Sequence, residues 1–103
     1  MALAISTHPG DGGQRIVLAG EVDLGSVDSL RDAVSRLVKS GATGTVLVDL
    51  ERVSFLDSTG IAALVEGHRL ADENNVTFRV VNPRGMVRRV LEMTDVLGYL
   101  SGS

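Results

Sequence analysis

The chain has 103 residues, a length that fits one domain, residues 1–103, around one modest core. Hydrophobic residues make up 44% but aromatics only 3%, so the core is expected from Val, Leu, Ile and Ala and not around an aromatic-rich ligand cavity. With no cysteine, disulfides, thiolate metal sites and cysteine nucleophiles are excluded, and a formal charge of −3 offers no electrostatic footprint for nucleic acid or an anionic membrane.

Taken in chain order, residues 2–7 read as a short strand with Leu3 and Ile5 on one face. His8-Pro9-Gly10-Asp11-Gly12-Gly13 is a dense turn signal, and residues 15–20 (RIVLAG) form a second strand, so an antiparallel hairpin is expected. GEVDLGS follows as a loop. Ser26 is a good N-cap for a helix with Val27, Leu30, Val34, Leu37 and Val38 at helical spacing, ending near Ser40-Gly41. Residues 45–50 (TVLVDL) are almost continuously apolar, as expected of a central strand covered on both faces, and a second apolar, strand-like run of Val53, Phe55 and Leu56 stops at Asp57.

A helix is expected from about Ser58 to Asn74, with Ile61, Leu64, Val65, His68 and Ala71 along one side. Residues 76–81 (VTFRVV) give the next strand. Asn82-Pro83 reads as a helix-opening pair before a stripe of Met86, Val87, Val90 and Leu91, and residues 96–100 as a final short strand. The order is ββαβαβα, which implies an α/β fold: a mixed central sheet, mostly parallel with an N-terminal antiparallel hairpin, and helices packed on it. The N-terminus lacks a signal-peptide pattern and no apolar run approaches the roughly 20 residues of a membrane span, so a cytoplasmic domain without membrane or nucleic-acid partners is expected.

In such sheets ligands and partners meet the loops at the carboxyl ends of the parallel strands. Two loops belong there, residues 20–26 and 56–60. Both carry acids (Glu21 and Asp23; Asp57) and hydroxyls (Ser26; Ser58 and Thr59), and both feed a helix N-terminus. Capping accounts for any one of Asp57, Ser58 and Thr59, but not for all three together. A serine nucleophile is opposed by the missing G-x-S-x-G signature and by the lack of a base: His8 lies in the N-terminal turn region and His68 far along the helix. No catalytic residue is assigned. The loop lacks the glycine spacing and lysine of a phosphate cradle, and Asp23 with Asp57 is too few ligands for a metal. Arg84, Arg88 and Arg89 read as a solvated helix face. No cofactor is implied. A serine at a helix N-terminus, beside an acid on an exposed loop, is a place to put a phosphate.

GEVD at 20–23, VLVDLERVSFLDSTGIAALV at 46–65 and VVNPRGMVRRVLEMTDV at 80–96 resemble the STAS domain of bacterial anti-sigma factor antagonists over nearly the whole chain. The resemblance implies a STAS-type fold and a non-enzymatic partner switch. It maps the phosphoacceptor to Ser58 and partner binding to Asp23, Leu24, Leu56, Asp57, Ser58, Thr59, Gly60 and Ile61. The implied partners are an anti-sigma factor with serine kinase activity, which itself binds ATP and Mg, and a PP2C-type phosphatase. The unphosphorylated form is expected to bind the anti-sigma factor and free the sigma factor. A STAS module of another system, a stressosome component or a phospholipid-transport subunit, is the alternative, and a weak homodimer is left open. Thr59 offers the kinase a second hydroxyl.

Overall fold

The structure is a computed structural model that describes residues 3–10, 13–40 and 44–94. The elements run β1 (Leu3–Gly10), β2 (Gly13–Val22), α1 (Val27–Lys39), β3 (Thr45–Leu56), α2 (Ser58–Glu73), β4 (Thr77–Val81) and α3 (Gly85–Met93). The strands form one sheet in sequence order, β1-β2-β3-β4, with β1 antiparallel to β2 and the other pairs parallel. The expected mixed sheet and ββαβαβα order are what the chain adopts; the final strand expected at 96–100 lies outside the described residues.

The two crossovers, β2-α1-β3 and β3-α2-β4, step the same way along the sheet. Right-handed connections therefore bring α1 and α2 to the same face. Alternate residues of the strands point at that layer: Ile16 and Leu18, Val46 and Val48, Phe78 and Val80 are all buried. α1 contributes Val27, Leu30, Val34 and Val38, a stripe at helical spacing. The buried stripe of α2 is Gly60, Ala63, Leu64, Gly67 and Ala71, while Ile61, Val65 and His68 are only half-buried. Small residues move the seam away from the larger apolar ones because they let the helix sit close. A Cβ on Gly67 would meet Val34 Cγ1 at 3.0 Å and Phe78 Cε2 at 3.2 Å.

Four local expectations are corrected. Residues 8–10 continue β1 instead of turning, because His8, Pro9 and Gly10 stay in register with Arg15, Gln14 and Gly13. β3 does not break after Leu50 but joins residues 45–50 to the strand-like run of Val53, Phe55 and Leu56 in one strand, and β2 runs on through Val22. The pairing of these two strands shifts register twice, between Val17 and Ala19 and between Gly20 and Glu21. Each shift resets the inside–outside alternation, so Leu50, Val53 and Leu56 are buried at three-residue intervals. Gly20 sits at the second shift with φ 119°, a conformation that glycine adopts at low cost. Finally, Pro83 does not open α3. Asn82 takes a left-handed φ of 58° and the helix begins at Gly85, two residues on.

β4 pairs only with Thr45–Asp49, which leaves the second half of β3 without a strand on that side among the described residues. α3 packs against β3 through the buried Val87 and Leu91, and Arg84 at its start reaches Glu51 at 3.4 Å.

Candidate functional site

The register Val22↔Leu56 brings the carboxyl ends of β2 and β3 level, on neighbouring strands about 4.8 Å apart. The Asp57 N–H donates to the Val22 carbonyl at 3.2 Å, so residues 23–26 and 57–60 leave the sheet side by side.

The first loop is closed around Asp23. Its carbonyl accepts from the N–H groups of Ser26 (3.0 Å) and Val27 (2.9 Å), and its carboxylate accepts from the Gly25 N–H at 3.0 Å. Ser26 is buried, and its hydroxyl donates to the Glu21 carbonyl at 2.8 Å while accepting from the Asp23 N–H at 3.1 Å. It therefore makes no side-chain cap on α1, contrary to the sequence reading; the hydroxyl is spent on closing the turn. Leu24 is left at the apex, 76% exposed.

In the second loop the helix cap is Asp57. One carboxylate oxygen, Oδ1, accepts from the N–H groups of Thr59 (3.0 Å) and Gly60 (3.1 Å) and from the Thr59 hydroxyl. These bonds to the charged form, led by the Thr59 hydroxyl, hold the Asp57 carboxyl below the usual carboxylate range, with desolvation working the other way. Ser58 differs from both neighbours. It is exposed, stands first in α2, and its hydroxyl makes no hydrogen bond among the described residues.

The residues singled out from sequence thus fall into two groups. Asp23, Leu24, Asp57, Ser58, Thr59 and Ile61 reach the surface wholly or in part, on the two adjacent loops and the start of α2. Leu56 and Gly60 are buried and shape that surface from beneath. A Cβ on Gly60 would sit 2.5 Å from Leu56 Cδ1 and 2.8 Å from Val22 Cγ1, so glycine is there to let α2 start against the sheet. Sequence reasoning passes over Ser26 as the knot of the first turn. It reads Phe55 only as part of an apolar strand-like run, whereas the register shift leaves it 37% exposed beside Glu21 at the same end of β3.

The remaining side chains of interest lie elsewhere. His68 is ten residues along α2 from Ser58, roughly 15 Å at 1.5 Å per residue. It packs edge-on against Phe78 with ring centroids 6.1 Å apart and approaches Asp72 at 3.6 Å. Arg88 pairs with Glu92 at 3.2 Å on the exposed face of α3. Among the described residues no three His, Cys, Asp or Glu gather as metal ligands, and no helix is long and apolar enough to cross a membrane.

Comparison with known proteins agrees with this geometry. The family model for the STAS domain matches residues 7–101. The anti-sigma-B factor antagonist of Staphylococcus aureus (strain NCTC 8325 / PS 47) is 28% identical over 96 residues, 93% of this chain and 88% of that protein. The solved structure of the anti-sigma factor antagonist SpoIIAA in its unphosphorylated form aligns with a TM-score of 0.80 at 27% identity, over 95% of this chain and 85% of that one. The phosphorylated form of SpoIIAA, a Bacillus cell fate determinant, aligns with a TM-score of 0.71 at 25% identity, over 95% and 88%. With the sheet order, the paired loops and the sequence match in agreement, the chain belongs to the STAS domain family.

Proposed function

We propose that this protein is an anti-sigma factor antagonist: a regulatory binding protein, not an enzyme, whose unphosphorylated form binds an anti-sigma factor and is switched off by phosphate on Ser58. The names of its relatives support the antagonist role. The observation that carries the finer reading is the contrast between adjacent hydroxyls. The Thr59 hydroxyl donates a hydrogen bond to Asp57 Oδ1, whereas that of Ser58 is exposed and makes no hydrogen bond among the described residues. An incoming kinase meets Ser58 without first breaking a hydrogen bond. The kinase is the anti-sigma factor itself, which supplies ATP and Mg, and a PP2C-type phosphatase resets the switch.

The sign of the switch follows from the charges. A phosphoryl group adds about −1.5 to −2. At the start of α2 the helix dipole favours it by roughly 0.3–1 kcal/mol, and Asp57 and Asp23 oppose it, so the fold changes little. At an interface a juxtaposed like charge costs several kcal/mol, and this repulsion outweighs the dipole and decides the outcome. Phosphorylation releases the partner without unfolding the antagonist.

Incubation with the cognate kinase and ATP tests the assignment by intact-mass measurement. One phosphate is expected on the wild type and none on Ser58→Ala. A phosphate that persists in Ser58→Ala would move the acceptor to Thr59, and the free hydroxyl of Ser58 would no longer explain the choice of site.

A further inference from the structure

Both edges of the sheet are open among the described residues, because the strand order ends with β1 on one side and β4 on the other. The β4 edge is five residues long and carries an exposed Arg79, a short charged edge of the kind that resists pairing. The β1 edge runs eight residues, LAISTHPG, without Lys, Arg, Asp or Glu, and only Pro9 near its end lacks a donor. Every second residue of β1 turns its N–H and C=O away from β2.

Beside that edge lies a groove of about 440 Å³, walled by Ile5 and Thr7 of β1 and by Asp32, Ala33, Arg36 and Leu37 of α1. Ile5 and Leu37 are partly buried and give it an apolar floor joined to the core. Asp32 and Arg36 are exposed on the same stripe of α1, one turn apart, and neither enters an ion pair among the described residues.

We propose that the β1 edge pairs antiparallel with β1 of a second copy of this chain, joining the two sheets into one across a two-fold axis. A two-fold contact places the same patch on both sides, so the patch must complement itself. This one does. The axis reverses α1 together with β1, and the long Arg36 side chain of each copy spans the doubled groove to Asp32 of the other. A ligand of one charge sign would match only half of the stripe. The strand supplies backbone hydrogen bonds, Ile5 and Leu37 the apolar contact, and the two charges fix the register. An interface of this size falls below about 1,200 Å² in total, so the dimer is weak and concentration-dependent. β2 separates this edge from β3 and α2, and the dimer leaves Ser58 and Asp23 uncovered. The inference is independent of the proposed function.

Sedimentation equilibrium of the full 103-residue chain, from about 10 µM to about 1 mM, reads the result directly. The average mass is expected to rise with concentration from the monomer value of 10.8 kDa. Asp32→Arg and Arg36→Asp each turn two attractive contacts into repulsive ones, and each is expected to weaken association about tenfold. An equimolar mixture of the two variants restores it to within about threefold of wild type, since every contact in the mixed pair again joins opposite charges. Both positions are exposed, and equal thermal melts establish that the variants fold. A wild type that stays monomeric throughout, single variants that associate as well as wild type, or a mixture no tighter than its components would each overturn the proposal.

Discussion

The position of Gly60 makes a quantitative test of how the site is built. A methyl group there would lie 2.5 Å from Leu56 Cδ1 and 2.8 Å from Val22 Cγ1. Leu56 can turn its terminal methyl only into neighbours, since it is 3% exposed, and Val22, fully buried and β-branched, has no free rotamer to move to. Overpacking of this kind costs about 1–3 kcal/mol. Against it stands the better helix propensity of alanine, worth at most about 1 kcal/mol. The steric clash wins, and Gly60→Ala is expected to destabilise by about 1–2 kcal/mol, lowering the melting temperature by about 5–10 °C. The assay is thermal and urea denaturation followed by circular dichroism. Adding Val22→Ala, which removes one of the two methyls that are struck, should make the double variant more stable than the sum of the two single losses. If Gly60→Ala melts at or above the wild type, α2 does not start in close contact with the sheet and the account of the glycine fails.

Further outcomes concern the surface above it. By calorimetry, Ser58→Ala keeps its affinity for the anti-sigma partner while Ser58→Asp loses at least about tenfold, and equal affinities would remove charge from the switch. Leu24→Ala weakens the same binding about tenfold yet leaves the melting temperature unchanged, because its side chain is 76% exposed in the free protein. A loss of stability instead would make Leu24 part of the fold. Asp57 titrates below the ordinary carboxylate value, so its contribution to stability is present above that value and fades as the pH falls through the lower, folded one. Thr59→Val raises the Asp57 value in a carbon-detected NMR titration, but not to that of a free carboxylate, as two backbone N–H groups remain.

The helices and most strands were legible because their apolar residues recur at the spacing each element demands, and α1 follows its stripe from Val27 to Val38. The two candidate loops stand out in sequence because acids and hydroxyls crowd two strand-to-helix junctions, and the structure places those junctions side by side. What sequence hid has specific causes. β3 carries two register shifts, and LERVSFL therefore breaks strict alternation, so its strand-like run at Val53, Phe55 and Leu56 does not read as one strand with residues 45–50. The turn-rich HPG stays in β1 because it has Gln14 and Gly13 to pair with, a long-range fact that local composition does not contain. Glycine carries no hydrophobic signal, so the seam of α2 at Gly60 and Gly67 was read one residue away, on Ile61 and His68. Ser26 looks like a cap in sequence; only the fold reveals that its hydroxyl faces the Glu21 carbonyl behind it.

Asp57 is a natural spectroscopic reporter. Its amide N–H donates to the Val22 carbonyl on the neighbouring strand, while its carboxylate accepts from the Thr59 and Gly60 amides in the first turn of the following helix. One backbone resonance therefore senses the sheet on one side and the helix start on the other. Following that single cross-peak during titration with a partner, or after modification of Ser58, separates a local change of charge from a parting of β2 and β3. In the first case the peak moves while its solvent exchange stays slow. In the second, exchange accelerates.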